Sequence, residues 1–575
     1  MSSRIIEKIH VFTKKGQYKK GEEIGLGIRA GFDFNPEEAC LRVRIYHLHR
    51  LIHETEVDIK TEISISGIRS FVISILLPVE LLPEGSRGFG CICELLEKGE
   101  ITGQGETAFD LADSESPVLR YGFLCDFRIN DRMKSEESLN FLSEFHMTHV
   151  QFYDWTCRHH EYKGMEEVYN DTMGKEIDLR LVKDEITGCR NRGMAALGYG
   201  AVYAAGEEYL ITHPREALRD CEGEAFNLID KFFIMDIREG SEWRKCLMNQ
   251  YRYALEDVGF DGIHMDTYGF PKRAFGLGDR GQSLIYLEDH FAGLIDETRD
   301  VLGDEATLIF NNVGNWPVHA TGPAHQDAIY IEVWDPYDTY SHIRQIIIAA
   351  SSYKKPVILA AYLAPFRLEP DHGGTGSLYS ALILHGAIVS LGASHLFLGE
   401  DGNALTQGYY NDYSKLRSDE RERILKYYDF QVRYLDLFLD PFLVEISETH
   451  TAGENREYFF EGAETSADGR PGRVWTIVRE SRGRRVISLI NLTGQEESFW
   501  NRGKSEPSEI MGFSLDFPLD RPEGEQGLSA FFASPDINDG SMMILNVERV
   551  RNERGPAGSI RIKDLPLWSV IVLES

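Results

Sequence analysis

Cysteine runs out early in this chain. All eight, Cys40, Cys91, Cys93, Cys125, Cys157, Cys189, Cys221 and Cys246, lie in the first half. Only Cys91 and Cys93 are neighbours, and a lone C-x-C is neither a zinc ribbon nor a disulfide framework, so the thiols read as reduced and mostly buried. Positive charge is short as well: 61 Lys and Arg stand against 92 Asp and Glu, a formal charge of -31. Such a surface repels nucleic acid and anionic lipid, which argues against both as partners, and is indifferent to an uncharged ligand. No apolar run reaches membrane-spanning length, and the opening MSSRIIEKIHVF lacks a charged segment followed by a long apolar one. Neither a membrane span nor a signal peptide is therefore expected, and the chain reads as cytoplasmic, or as secreted if a leader has been removed. A G-x-S-x-G elbow and a P-loop are missing too, which leaves serine hydrolases and P-loop NTPases without support. No cofactor is expected.

What is present is a packed globular chain. Hydrophobic residues make up 42% and aromatics 11%, enough for substantial cores, and 575 residues are too many for one, so about two to four domains are expected. Residues 1–115 read as short strands: KIHVFTKK, EIGLGIRAGF, CLRVRIYHL and RSFVISILL alternate or run apolar between Gly, Pro and Asn, the style of a β-sandwich. Residues 435–575 repeat it in GRVWTIVRE, RRVISLINLTG, SMMILNVERV, SIRIKDL and WSVIVLES, with TSADGRPG and RPEGEQG as loops.

The middle, residues 116–434, changes rhythm. Eight near-continuous apolar runs, at 120–127, 149–155, 194–202, 261–267, 307–313, 328–334, 356–363 and 394–400, alternate with helical patterns such as EESLNFLSEF, EWRKCLMNQYRYALEDVG and IRQIIIAASSY. Continuous apolar strands separated by helices indicate a parallel sheet, and eight such units over this length match a (β/α)8 TIM barrel. A doubly wound sheet is the alternative, but the first unit carries no G-x-G-x-x-G turn. The expected architecture is multidomain: a central (β/α)8 barrel flanked by an N-terminal and a C-terminal β-sandwich.

Barrel active sites form at the C-terminal strand ends. Those ends here carry Asp126, Asp154, Tyr199, Asp266, Asn312, Glu332, Tyr362, Glu400 and Asp401, with Trp155, Trp316 and Trp334 beside them. The segment YDWTCRHH adds Tyr153, Arg158 and His159 as candidate contacts. Carboxylates, amides and aromatic rings around one face suit a sugar, because carboxylates perform acid/base work and bond hydroxyls while rings stack on C–H faces. Asp266 and Glu332 end the fourth and sixth runs. Alternate strands contribute to one layer of a barrel, so both can enter one pocket. A retaining glycosidase needs two carboxyls about 5–5.5 Å apart, one ionised to attack and one protonated to assist departure. The shorter Asp266 suits the nucleophile and the longer Glu332 the acid. His264 and Asp266 form an H-x-D, but no second His pair matches it, so no metal site is expected.

The motifs FYDWTCRHH, GFDGIHMDTYG, FNNVGNW, YIEVWD and LGASHLFLGE, five in order across the barrel, resemble glycoside hydrolase family 66, the endo-dextranases and cycloisomaltooligosaccharide glucanotransferases. The resemblance implies an immunoglobulin-like N-terminal domain, a (β/α)8 barrel and a C-terminal β-sandwich. It implies Asp266 as nucleophile, Glu332 as acid/base and Asp154 as the residue holding the sugar at the cleavage site. It also implies the substrate, an α-1,6-linked glucan or isomaltooligosaccharide, which the residues alone do not identify; a transglucosylase or a barrel glycosidase acting on another linkage stays open. The resemblance implies that cyclising members usually carry an extra carbohydrate-binding module inserted in the barrel region. Only residues 364–393 separate the seventh run from the eighth, too few for it, which favours hydrolysis over cyclisation. Chain-length preference, oligomeric state and the role of the two β-domains are open at this point.

Overall fold

The structure is a computed structural model of the chain. It describes residues 6–59, 63–65, 68–83, 85, 87–113, 118–128, 132–278, 281–367, 375–407, 415–440, 442–481, 483–519 and 528–574. The expected loop RPEGEQG lies outside the described residues.

A parallel barrel occupies the middle. Its strands are β1 (Tyr121–Leu124), β2 (His149–Phe152), β3 (Ala195–Ala201), β4 (Gly262–Asp266), β5 (Thr307–Val313), β6 (Ala328–Glu332), β7 (Val357–Ala360) and β8 (Ser394–Leu396). They pair in sequential order, and a parallel bridge between Phe123 and Gly399 joins β8 back to β1. Helices follow the strands in turn: α1 (Arg132–Glu144), α2 (Leu179–Asn191), α3 (Glu242–Tyr253), α4 (Glu288–Leu302), a single turn α5 (Val318–Thr321), α6 (Tyr340–Ser351), α7 (Thr375–Ser390) and α8 (Ser418–Arg433). Each of the eight apolar runs read from the sequence contains one strand. The runs are apolar on both faces because one face fills the barrel and the other meets the helices. Close pairing also selects small residues. A Cβ on Gly262 would sit 2.0 Å from the Thr307 carbonyl oxygen, so β4 begins on glycine where it meets β5.

Residues before the barrel form two facing sheets. Ile24–Ala30, Ile63–Ile65 and Ile68–Ile75 make one; Ala39–His47, Arg50–Asp58, Gly88–Glu97 and Glu100–Asp110 make the other. Glu7–Thr13 serves both, parallel to the second at its start and antiparallel to the first thereafter. Leu26, Ile28, Val43, Phe71, Cys91 and Cys93 are part of the core between them. The hairpin Gly88–Glu97/Glu100–Asp110 adds to the strands expected from sequence. Its second strand, EITGQGETAFD, hides the apolar alternation because a Cβ on Gly105 would meet the Ile9 carbonyl oxygen at 2.2 Å.

Beyond the barrel, Val474–Ser481, Arg484–Asn491, Trp568–Glu574 and Ser529–Ala533 are central in one sheet; Ile510–Pro518 and Gly555–Leu565 are central in another. The apolar run RRVISLINL is explained by burial on both faces. Val486 and Ile490 join the barrel's core, whereas Ile487 and Leu489 face the second sheet. Trp568 anchors the contact, its Nε1 donating to Ser390 Oγ of α7 at 2.9 Å. The segment SMMILNVERV divides into Met543–Leu545 and Glu548–Asn552, one in each sheet. No helix among the described residues is long and apolar enough to cross a membrane.

Candidate active site

A cavity of about 240 Å³ opens at the C-terminal ends of the barrel strands, with Asp266 and Glu332 in its wall. Strand register places them there. Asp266 pairs with Ala201 of β3, and Glu332 pairs with Val313 of β5 and Ala360 of β7. Side chains alternate along a strand, so His264 and Asp266 of β4, Asn311 and Val313 of β5, and Tyr330 and Glu332 of β6 all turn inward and line the cavity. Beneath it His264 and Tyr121 bond, Nδ1 to hydroxyl, at 3.1 Å, and the imidazole meets the Tyr330 ring edge to face at 4.8 Å between centroids. Burial pushes His264 down to about 3, so it is neutral at physiological pH and part of a closed floor. Among the described residues no group of three or more His, Cys, Asp or Glu side chains is arranged to hold a metal ion.

Asn311 ties the two carboxyls together. Its Nδ2 donates to Asp266 Oδ1 at 2.6 Å and to Glu332 Oε2 at 3.0 Å. Two oxygens bound to one nitrogen at those distances are at most about 5.6 Å apart, within the reach of a carboxyl pair that acts on one bond. Burial raises both carboxyls above their ordinary range, and the Glu332 charge and then Asp154 push Asp266 further; bonds from Asn311 and Tyr199 draw it partly back. Glu332 is drawn back by Asn311, Trp334 and Tyr362. Two buried carboxyls this close resist ionising together, so the site holds one proton between them over a wide pH range. Burial also keeps the Tyr199, Tyr268, Tyr330 and Tyr362 hydroxyls well above their usual range, hence protonated and available as donors.

A glycosyl hydrolase family 66 model matches residues 13–572. The chain belongs to that family. Similar curated proteins include a cycloisomaltooligosaccharide glucanotransferase of Niallia circulans, 21% identical over 98% of this chain and 71% of its own, and a dextranase of Streptococcus salivarius, 19% identical over 71% of this chain and 56% of its own. A second Niallia circulans glucanotransferase is 20% identical, and the match covers 63% of its length. Among solved structures, a Paenibacillus cycloisomaltooligosaccharide glucanotransferase bound to cycloisomaltoheptaose superposes with a TM-score of 0.84, at 18% identity, over 98% of this chain and 99% of that one. At that identity the match shows a shared fold.

In this family 66 member the residues expected at the site divide into three groups. Tyr153, Trp334 and Tyr362 line the cavity with the two carboxyls; Trp334 stands at the rim, 40% exposed, its ring 5.9 Å from that of Tyr362. Tyr199 and Asp154 stand just behind the lining. Tyr199 bonds Asp266 and meets the Tyr153 ring edge to face at 4.8 Å. Asp154, buried in the left-handed backbone region at φ 48, has its Oδ1 3.4 Å from His159 Nε2. His159 is buried and stacked on Phe232 at 4.7 Å, so it supports Asp154 from outside the lining.

The third group departs from the expectation. Asn312 points away from the cavity: its Nδ2 donates to the Phe310 and Tyr330 carbonyls at 3.2 and 2.9 Å, and its Oδ1 accepts from Thr321 Oγ1 at 2.6 Å. The amide that enters the cavity and bonds both carboxyls is its neighbour Asn311, which lies two residues before Val313 on the same face of β5. Trp155 has no exposed surface, packs on Tyr162 and Phe260 and donates from Nε1 to the Tyr199 carbonyl at 3.3 Å, so no sugar can stack on it. Trp316 bonds Glu288 Oε2 at 2.9 Å and packs on Phe291, fastening the loop after β5 to α4. Arg158 turns back on its own loop, donating to the Cys157 and Asn170 carbonyls at 2.7 and 3.1 Å. Glu400 and Asp401 line a separate cavity with Asp126 and Glu185, where Glu400 accepts the backbone N–H groups of Cys125 and Asp126 at 2.9 and 3.1 Å. Gln151, Phe123, Thr267 and Tyr268, not singled out from the sequence, complete the lining of the cavity that holds Asp266 and Glu332.

Proposed function

We propose that this family 66 protein is a retaining glycoside hydrolase that cleaves α-1,6-glucosidic linkages of dextran or isomaltooligosaccharides. The observation that carries the reading is the single Asn311 amide bonded to both Asp266 and Glu332 inside the cavity. The two bonded oxygens, at most about 5.6 Å apart, suit the roughly 5–5.5 Å of a retaining pair better than the roughly 6.5–9.5 Å of an inverting one, which supports direct attack by one carboxylate. With a glucosyl unit seated, the developing positive charge at its anomeric carbon holds Asp266 ionised and the shared proton on Glu332. Glu332 gives that proton to the departing oxygen as Asp266 attacks, forming a β-glucosyl ester. Glu332, now a carboxylate, takes a proton from water, which releases the sugar with its original anomeric configuration.

The linkage comes from the family and from relatives named for dextran and cycloisomaltooligosaccharides. A sugar hydroxyl in place of water would make the same site a transglucosylase. The alignment with the Niallia glucanotransferase spans 717 positions against 575 residues here, so that relative carries at least 142 positions without a counterpart, which favours hydrolysis. In this reading residues 116–434 are the catalytic unit, and 1–115, immunoglobulin-like, and 435–575 are β-sandwiches packed on it. The cysteines form no disulfide with one another, and a cytoplasmic enzyme fed with short isomaltooligosaccharides is the setting this reading adopts. The test is a product time course with wild type, Asp266→Asn and Glu332→Gln on dextran and isomaltooligosaccharides. Linear isomaltooligosaccharides from wild type alone are expected. Cyclic or lengthened products would move the assignment to a glucanotransferase, and no turnover of any α-1,6-glucan would refute the substrate.

A further inference from the structure

The wall opposite Glu332 carries a polar side chain that the mechanism above leaves unused. In a barrel of eight strands paired in sequence, the strand facing β6 is β2, and Gln151 is the β2 residue in the cavity lining below Tyr153. Its strand neighbours Val150 and Phe152 have no exposed surface, and Gln151 is 4% exposed. Phe123 is its register partner on β1, and Tyr153, His264 and Tyr330 share the same lining, so aromatic rings make up much of a wall in which a carboxamide contributes little to packing. Its Oε1 is sealed from water and has no hydrogen-bond partner, so the end it turns to the cavity is the amide nitrogen. Buried polar groups in folded proteins are nearly always paired, and an exception in an active site calls for a partner from outside the chain. The cavity holds a neutral group that both gives and accepts hydrogen bonds most readily, and a ring hydroxyl does both.

We propose that Gln151 is a specificity-determining residue that bonds the C3–C4 hydroxyl edge of the glucosyl unit undergoing cleavage. The inference rests on the glycosidase reading above. With the anomeric carbon held at the carboxyl pair and the glycosidic oxygen on the Glu332 side, the ring edge farthest from that bond is C3–C4, and it points across the barrel to β2. A site built around such a bond rejects a substrate lacking the hydroxyl, because the protein group is then left buried and unpaired.

The test uses activated aryl α-isomaltosides whose reacting ring lacks the 2-, 3- or 4-hydroxyl, with wild type, Gln151→Leu and the isosteric Gln151→Glu, the last covering a folding failure of Gln151→Leu. Wild-type kcat/KM is expected to fall at least about 100-fold for the 3- or 4-deoxy substrate. Gln151→Leu should lose a comparable factor on the parent substrate and almost nothing further on that same analogue, while its 2-deoxy penalty matches wild type. Deoxy penalties in both variants equal to those of wild type would overturn the role of Gln151 and leave the glycosidase reading standing. No wild-type turnover of the parent isomaltoside would refute that reading itself, and this one with it.

Discussion

Replacing Asn311 by Ala should move the pH profile of the enzyme as well as slow it. The amide donates one hydrogen to each carboxyl, at 2.6 and 3.0 Å. A hydrogen bond to a charged acceptor contributes about 1.5–3 kcal/mol, a factor of roughly ten to a hundred in rate, and its loss raises both carboxyls further. The sign follows from which form is stabilised. A donor favours the ionised carboxylate, and both groups are already held above their ordinary range by burial, so removing the donor moves them further up. In the proposed mechanism Asp266 is ionised to attack and Glu332 protonated to assist, so both limbs of the kcat/KM profile should shift to higher pH together. On the acid side the variant should be about ten- to a hundredfold slower than wild type, and it should regain part of that loss as pH rises. Steady-state rates on an isomaltooligosaccharide across the stable pH range are the assay. A profile lowered in height with both limbs in place would refute the account of Asn311 as the donor that sets the two carboxyls. Asn312→Ala is the control one residue away. It removes the donor to the Phe310 and Tyr330 carbonyls and the acceptor of the Thr321 hydroxyl, at a cost of about 1–3 kcal/mol, so it should lower Tm and leave the limbs where they are.

Three further outcomes follow from the same geometry. Because burial holds Asp266 above its ordinary range, the folded chain binds that proton more tightly than the unfolded one, and this contribution to stability is lost as pH rises through the folded-state value. Asp266→Asn should therefore abolish turnover yet melt higher than wild type at pH 8, with the gap closing toward pH 4; a gap that widens on acidification would contradict it. Glu332→Gln should slow substrates with poor leaving groups far more than activated aryl glycosides, and equal losses for both would remove Glu332 from the acid role. Trp155→Ala should destabilise by about 3–5 kcal/mol in denaturant titration, whereas Trp155→Phe, which keeps most of the packing, should leave KM nearly unchanged; a large KM rise in the Phe variant would return Trp155 to the substrate.

The sequence by itself determined the parts that depend on composition and period. Eight doubly apolar runs separated by helical patterns specify a parallel barrel, because only strands buried on both faces dispense with alternation. The same runs end on Asp266 and Glu332, and a barrel with its functional face at the strand ends brings those two together whatever the details of the loops. Side-chain direction was decided by tertiary structure. Asn311 and Asn312 are chemically identical neighbours, and which one enters the cavity depends on the register of β5 against β4 and β6, which long-range pairing sets. Trp155, Trp316 and Arg158 were drawn toward the site by their place in the chain and are held out of it by partners distant in sequence or by the turns of their own loops. Glu400 and Asp401 end the last run, yet they turn to a second cavity because Glu400 is captured by the backbone N–H groups that follow β1. Gln151 lies in an apolar run where nothing local marks it, and its role becomes visible only once the barrel closes and sets β2 across from β6.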